Sequence, residues 1–242
     1  MTAIKHISFD VWKTLINPNK SYGSARNEII ARHLDIPVQE AKDLYKMCKK
    51  FLDKSAEING TCFSTPNCWK LLVKMSGKKV DYLPLMNECA DLFKHYLPEF
   101  DSELVKELQK LKESGYVLSI TSNTNFVSGK VLFDDIFKAW DVFTYTHFSD
   151  LNEVAKPNPR FFDITYNHAA FGKGTVPEQV SHDVLKRSEV LHVGDNKICD
   201  AQCVDSGFQY LYVEDPADLL AKLLKEEVVP VISKGKSSYS LS

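Results

Sequence analysis

The chain has 242 residues, of which 44% are hydrophobic and 26% charged, so it can bury a full core in one large domain or in a domain that carries a smaller one. A formal net charge of −2 and a pI near 6.4 give no general reason to expect a nucleic acid or an anionic membrane surface as a partner. The six cysteines lack Cys-x-x-Cys spacing and are expected to be reduced thiols. No segment resembles a signal peptide or a membrane span, which predicts a cytoplasmic protein.

Five short apolar stretches are typical of buried strands, and each ends in small or polar residues. In chain order they cover residues 4–9, 116–121, 142–146, 190–193 and 209–213. Helical spacing of apolar residues occupies 100–113, and similar patterns begin near Pro159, Lys197 and Pro216. Strands that alternate with helices predict an α/β fold, a Rossmann-like parallel sheet with helices on both faces.

The segment between the first strand and the rest of the sheet has a different pattern. Residues 17–95 hold helical periodicity, as in EAKDLYKMCKKFLD and LPLMNECADLFKHYL, and no convincing strand. We therefore predict an all-α cap domain over 17–95, inserted into a core domain formed by 1–16 and 96–242.

Polar side chains collect at the carboxyl ends of the predicted strands. In a parallel α/β sheet these ends meet at one edge, where helix N-termini and free backbone amides also point. The candidates at this edge are Asp10, Thr14, Ser122, Asn123, Lys156, Asp195 and Asp200. Carboxylates, hydroxyl groups and a lysine in this arrangement predict a site for phosphate and magnesium.

Four motifs in this order resemble those of the haloacid dehalogenase (HAD) superfamily of hydrolases. FDVWKTL is similar to its first motif, ITSN to its second, AKPNPRFF to its lysine motif and HVGDNKICDAQCVDSGF to its acidic fourth motif. The insertion after the first motif is similar to the helical cap of the haloacid dehalogenase and phosphoglycolate phosphatase branch. The resemblance implies a magnesium-dependent hydrolase that acts on a small phosphorylated metabolite.

Each candidate has a role in such a reaction. Asp10 is the expected nucleophile, which forms an aspartyl-phosphate, and Lys156 would neutralise charge on Asp10 and the phosphoryl group. The hydroxyl groups of Thr14 and Ser122 would donate hydrogen bonds to phosphoryl oxygens, and Asn123 would help to position the substrate. Mg²⁺ prefers oxygen ligands, and the expected set is Asp10, the Trp12 backbone carbonyl, Asp195 and Asp200. Asp200 would bind directly or through water, or act only as an acid at a helix N-terminus.

Trp12 is the main departure from the family pattern. Family phosphatases carry a second aspartate two residues after the nucleophile, which protonates the leaving oxygen and then activates water. An indole N–H donates a hydrogen bond but cannot accept a proton, so Trp12 cannot replace this acid. The family also has glycine where this chain has Lys13, whose ammonium either faces solvent or helps the leaving group electrostatically.

The missing acid leaves several alternatives open. Dehalogenases of the superfamily have tyrosine at the position of Trp12, but they attack carbon without a metal and lack the acid that Asp195 supplies here. Phosphonate hydrolases use a small residue there and a cap lysine that forms an imine, and no lysine of the insertion is singled out by the sequence. A non-catalytic binding protein that keeps the fold is the alternative outside enzymes. The intact set Asp10, Lys156, Asp195 and Asp200 favours an enzyme.

Overall fold

The predicted strands form one parallel sheet. The structure, a computed structural model, describes residues 3–171 and 185–228, so residues 172–184 and 229–242 of the predicted core domain lie outside the described residues. Within the described ranges the sheet has five strands, which are β1 (His6–Phe9), β2 (Val117–Ser122), β3 (Tyr145–Phe148), β4 (Val190–Gly194) and β5 (Gln209–Tyr212). Their order across the sheet is β3-β2-β1-β4-β5, and every neighbouring pair is parallel. The predicted α/β class is confirmed.

Residues 17–95, all of which the structure describes, contain four helices and no strand of the sheet. These helices are α1 (Lys20–Leu34), α2 (Val38–Asn59), α3 (Thr65–Met75) and α4 (Tyr82–His95). The chain leaves the sheet and returns to it at one place, because Asn17 and Glu99 exchange two backbone hydrogen bonds of 2.9 Å. We refer to residues 17–95 as the helical insert.

The remaining helices cover the two faces of the sheet. They are α5 (Ser102–Glu113), α6 (Gly129–Leu132), α7 (Lys138–Trp140), α8 (Ser149–Asn152), α9 (Pro159–Phe171) and α10 (Pro216–Leu224). A π-helix (Phe133–Phe137) joins α6 to α7, and 3-10 helices cover Arg187–Glu189 and Ala201–Ser206. Helices α5 and α10 pack together on one face, and α9 packs on the other against β2 and β3. In the part of the chain that the structure describes, no helix is long and apolar enough to span a bilayer.

Two elements differ from the sequence prediction. The third strand, predicted at 142–146, begins three residues later at Tyr145, because Val142 is buried in the core from a loop rather than from the sheet. The helix predicted near Lys197 is wrong, since a turn leads there into the 3-10 helix at Ala201–Ser206. The Asn196 side chain accepts the backbone N–H groups of Ile198 and Cys199, which favours this local turn over a helix.

The helical insert has a hydrophobic cluster of its own, and one residue of the sheet domain belongs to it. Phe126, in the loop after β2, is 4% exposed and lies 4.6 Å from the Tyr45 ring and 4.9 Å from the Trp69 ring. The Trp69 indole also donates to the Phe126 carbonyl at 3.2 Å. Because Phe126 packs between helices of the insert, it fixes the insert over the carboxyl edge of the sheet.

The two faces of the sheet differ in polarity. Ile7 and Phe9 of β1 point into the main apolar cluster with α5 and α10, whereas His6 and Ser8 point to the face of α9. The polar side chains on that face pair across neighbouring strands, so their burial does not leave these hydroxyl groups unsatisfied. The bonds join His6 to Ser119 at 2.7 Å, Ser8 to Thr121 at 2.8 Å, Ser8 to His192 at 3.0 Å and Thr121 to Thr165 of α9 at 2.8 Å.

Buried His6 makes the stability of the fold depend on pH. Burial, with the nearby His192 as a second cause, lowers the pKa of His6 from 6.5 to about 4. Between these values the unfolded chain binds a proton that the folded chain does not, so stability falls as the pH decreases. We expect His6→Gln, which can still form a hydrogen bond with Ser119, to remove about 3 kcal/mol of this acid destabilisation. Urea unfolding of both proteins between pH 7 and pH 4 measures the effect, and parallel curves would contradict it.

Candidate active site

The loop after β1 places Asp10 between two strands. The Asp10 amide donates to the Val193 carbonyl at 2.9 Å, so pairing with β4 continues one residue beyond the end of β1. The following turn is closed by Leu15 and Ile16, whose amides both donate to the Val11 carbonyl. Lys13, at the tip of this turn, has a φ of 60°, a left-handed conformation that costs a non-glycine residue roughly 1–2 kcal/mol.

Lys156 is the centre of a buried ion cluster. Its side chain is 2% exposed, and Nζ donates to Oδ1 of Asp10 at 2.7 Å and to Oδ1 of Asp200. Burial lowers the pKa of Lys156, but the two carboxylates outweigh burial and raise it above the usual lysine value. Burial has the opposite effect on Asp10, because it raises the pKa of an acid, and the Lys156 ammonium opposes this rise. The charged lysine therefore keeps a carboxylate at the end of β1 within a buried site.

Asn123 fixes the position of Lys156. Its side-chain amide donates to the Lys156 carbonyl at 2.9 Å, and its side-chain oxygen accepts the Lys156 N–H at 2.8 Å. The loop after β2 is thereby joined to the lysine loop by two bonds. These bonds position Lys156, and Asn123 also lines the cavity described below, so its role in positioning the substrate stays a prediction.

Asp200 is held from three directions. Besides Lys156, the His192 ring contacts Oδ1 at 3.1 Å, and the Asn196 backbone N–H donates to Oδ2 at 2.9 Å. Although burial raises the pKa of Asp200, Lys156 and His192 together hold it well below the usual range. Both carboxylate oxygens are thus occupied by donors of the protein itself.

Asp195 is the most accessible acid of the cluster. It is half-buried, and burial, reinforced by the charges of Asp10 and Asp200, raises its pKa to about 6. Asp10, Asp195 and Asp200 each offer an oxygen, and these oxygens lie within 4.8 Å of one another. Neighbouring carboxylates that repel each other are the usual setting for a divalent cation.

The cluster opens into a cavity of about 480 Å³ between the sheet edge and the helical insert. The cavity lining includes Asp10, Trp12, Lys13, Asn123, Lys156, Asp195 and Asp200 of the sheet domain. Thr14 and Ser122 are fully buried and do not belong to the lining. The Thr14 hydroxyl has no hydrogen-bond partner among the described residues, and the Ser122 hydroxyl donates to the Asn123 carbonyl at 3.4 Å. The structure thus brings five of the seven predicted side chains to the cavity and leaves two behind it.

The wall formed by the insert carries residues that the sequence did not single out. They include Tyr22 and Arg26 of α1, and Tyr45, Lys49, Asp53 and Glu57 of α2. The spacing of Lys49, Asp53 and Glu57 is that of one helix face, which was a usable signal. That signal shows only that the three side chains share a face, because which face of the insert meets the sheet depends on long-range packing.

A Rossmann-like sheet with an acidic site at its carboxyl edge and a helical insert after β1 defines the class of protein. Solved structures share this architecture at low sequence identity. The HAD-hydrolase YfnB from Bacillus subtilis, solved with magnesium, has a TM-score of 0.66 at 14% identity over 92% of this chain and 100% of its own. A HAD phosphatase from Thermococcus onnurineus has a TM-score of 0.62 at 15% identity, with coverage of 95% and 100%. A 2-haloacid dehalogenase from Pseudomonas syringae has a TM-score of 0.61 at 16% identity, with coverage of 93% and 99%.

The chain therefore has the fold of the haloacid dehalogenase superfamily. Neither a protein-family model nor a curated protein sequence matches it. The fold predicted from the four motifs is confirmed.

Gly194 is required for the placement of Asp200. A Cβ atom on Gly194 would lie 2.2 Å from Oδ2 and 2.4 Å from Cγ of Asp200, so any side chain there must push the carboxylate away from Lys156. We expect Gly194→Ala to lower the free energy of unfolding by about 1–3 kcal/mol. Gly23→Ala is the control, since Gly23 lies within α1 with no contact closer than 4.0 Å, and this change should stabilise by roughly 0.5–1 kcal/mol. Urea unfolding compares the two variants, and equal stabilities would contradict the predicted clash.

Proposed function

We propose that this protein is a magnesium-dependent hydrolase that transfers a phosphoryl group from a small phosphorylated metabolite to water through an aspartyl-phosphate at Asp10. The observation that carries the proposal is the buried cluster of Asp10, Lys156, Asp195 and Asp200 at the floor of a cavity. The similarity to solved HAD hydrolases, which include a phosphatase, supports a hydrolase in general.

The residues at the site fit a magnesium ion. Asp10 shares Oδ1 with Lys156 and keeps Oδ2, and no described donor occupies the Asp195 carboxylate or the Trp12 carbonyl. Asp10, Asp195 and the Trp12 carbonyl would therefore hold the ion, which would neutralise phosphoryl oxygens in the reaction. Asp200 already binds Lys156, His192 and Asn196, so it would support the ion through these neighbours or through water.

The chain itself supplies the nucleophile and the positive charge beside it. The Asp10 oxygen attacks phosphorus, the bond to the leaving oxygen breaks, and the phosphoryl group passes to Asp10. Lys156 reduces the repulsion between the carboxylate and the phosphoryl oxygens, because its ammonium is already within 2.7 Å of Asp10. The helical insert acts as a cap in this proposal, since it covers the cavity and limits access of water.

Trp12 sets the range of substrates. It is partly buried against the main apolar cluster and lines the cavity, where the family pattern has an acid. Without that acid the first step favours leaving groups that need no proton, such as aryl or acyl oxyanions. The second step, in which water cleaves the aspartyl-phosphate, lacks a base, so this intermediate should decay slowly.

Dehalogenation of a small 2-haloacid is the second candidate, favoured by the aromatic residue at Trp12 and by the similarity to a 2-haloacid dehalogenase. Asp195 argues against it, because an acid beside Asp10 repels an anionic substrate unless a cation is bound. Turnover of 2-chloropropionate without magnesium would favour dehalogenation over phosphoryl transfer.

The metal assignment predicts unequal effects of the two acids after β4. We expect Asp195→Asn to weaken Mg²⁺ binding by about tenfold or more, because it removes a ligand with a free carboxylate. Asp200→Asn should weaken it less, since both oxygens already accept hydrogen bonds. Asp205→Asn is the matched control on the exposed side of the 3-10 helix. Isothermal titration with MgCl₂ measures all three, and unchanged affinity in Asp195→Asn would contradict the assignment.

The role of Trp12 predicts which substrates gain from an acid. The unmodified protein should hydrolyse p-nitrophenyl phosphate faster than ethyl phosphate, and Trp12→Asp should raise the ethyl phosphate rate by about 10²-fold or more. Trp12→Asn is the control, because it has the size of aspartate but cannot transfer a proton at neutral pH. Asp10→Asn should abolish both activities. Release of p-nitrophenol and of ethanol in the first turnover measures the rates, because slow hydrolysis of the shared aspartyl-phosphate would limit phosphate release equally for both substrates. A high ethyl phosphate rate without gain in Trp12→Asp would show that another residue supplies the proton.

A further inference from the structure

Arg26 is a cation fixed in the wall of the cavity that faces Asp10. It lies in α1, and its Cζ atom is 3.3 Å from the centroid of the Tyr45 ring and 5.7 Å from that of Tyr22. Tyr45 is buried, and the Tyr22 hydroxyl donates to the Cys89 carbonyl at 3.4 Å, so both rings are held by the insert. Stacking on the aromatic rings orients the guanidinium plane before any ligand binds.

The guanidinium has few partners for its five N–H donors. Among the residues that the structure describes, no ion pair involves Arg26, and its one hydrogen bond runs from Nη2 to Oδ1 of Asn27 at 3.0 Å. Nε is buried and has no acceptor in the same part of the chain. A buried donor without an acceptor costs free energy, and more so when it is charged. The site is therefore built for an acceptor that arrives with a ligand.

The acids on the same wall do not neutralise Arg26. Asp53 is engaged on both oxygens, since Lys49 donates to Oδ2 and Asn125 donates to Oδ1 at 3.1 Å. Glu57 lies two helical turns beyond Lys49, and its charge acts on Cys199 in the loop after β4. Arg26 is thus left as an uncompensated cation above the catalytic floor.

We propose that Arg26 binds a second oxyanion of the substrate, which makes the substrate a small phosphorylated metabolite with a carboxylate or a second phosphate at its far end. This inference rests on the proposed function, in which the phosphoryl group of the substrate binds at Asp10 and Lys156. A planar guanidinium donates two parallel hydrogen bonds to a carboxylate or a phosphate, so it recognises the geometry of the oxyanion as well as its negative charge. Arg26 is then the residue that determines specificity, and the cavity of about 480 Å³ limits the length of the linker.

Matched ligands that cannot be hydrolysed test the proposal. With magnesium present, isothermal titration compares 3-phosphonopropionate with propylphosphonate, which differ in the carboxylate alone. We expect the unmodified protein to bind 3-phosphonopropionate about tenfold or more tightly than propylphosphonate, as for hydrogen bonds to a charged group. Ethane-1,2-bisphosphonate replaces the carboxylate by a second phosphonate at the same linker length, and the tighter of these two ligands identifies which oxyanion Arg26 prefers.

Three variants assign the preference to Arg26. In Arg26→Met, whose side chain still packs on Tyr45, the ratio of the two affinities should fall to near one. In Arg26→Lys the ratio should be intermediate, because lysine keeps the positive charge but cannot donate two parallel hydrogen bonds. Arg32→Met is the matched control, since Arg32 is in the same helix but pairs with Glu88 on the exposed surface, and its ratio should equal that of the unmodified protein. Circular dichroism confirms that each variant is folded.

The outcomes separate this proposal from the proposed function. A ratio near one in the unmodified protein, or an unchanged ratio in both Arg26 variants, overturns the role of Arg26 while phosphonate binding itself stands. If neither phosphonate binds, the proposed phosphoryl site at Asp10 is rejected. Titration with succinate then tests the oxyanion site at Arg26 alone. Succinate binding that is lost in Arg26→Met supports the oxyanion site, and no succinate binding overturns it.

Discussion

The ammonium of Lys156 between Asp10 and Asp200 is the interaction on which the rest of the site depends. Two carboxylates in a buried pocket repel each other, and the lysine makes their burial tolerable. Other features of the structure hold Lys156 and Asp200 in the positions that these ion pairs require. Asn123 holds the backbone of Lys156, His192 supports Asp200, and Gly194 leaves the space that Asp200 occupies. Loss of the Lys156 ammonium would leave two buried carboxylates without a compensating cation, whereas loss of either carboxylate would still leave the lysine paired with the other.

The positions of the charged residues could be predicted because parallel topology decides them. A strand that ends at Asp10, a loop that carries Lys156 and a strand that ends before Asp195 must meet at one edge of the sheet, whatever the details of packing. The exposure of Thr14 and Ser122 could not be predicted, because it depends on side-chain rotamers in tight turns. The place of Arg26 could not be predicted either, since it depends on how the insert packs over the sheet.

The turn after β1 combines two departures from the family pattern that the sequence showed separately. Lys13 adopts a left-handed backbone conformation that glycine adopts without strain, and Trp12 beside it lies partly against the apolar core. The turn thus keeps the shape that glycine would allow while it carries a cation at its tip and an aromatic ring at its base. The charge of Lys13 also lowers the pKa of Asp195, which burial and the neighbouring acids raise. Lys13 therefore adds a positive charge to the site from a backbone position whose conformation favours glycine.

The packing of Phe126 inside the insert couples the insert to the loop that positions Lys156. Burial of a phenylalanine side chain stabilises by about 1.5–3 kcal/mol, and hydrogen bonds from Trp69 to the Phe126 carbonyl and from Thr65 to the Asn125 carbonyl add to this attachment. The backbone hydrogen bonds between Asn17 and Glu99 hold the two connections of the insert together. A rotation of the insert about this point would withdraw Phe126 from the hydrophobic cluster of the insert. Phe126 belongs to the loop that also carries Asn123, so a displacement of the insert that withdraws Phe126 would be passed to the lysine loop through the two hydrogen bonds between Asn123 and Lys156.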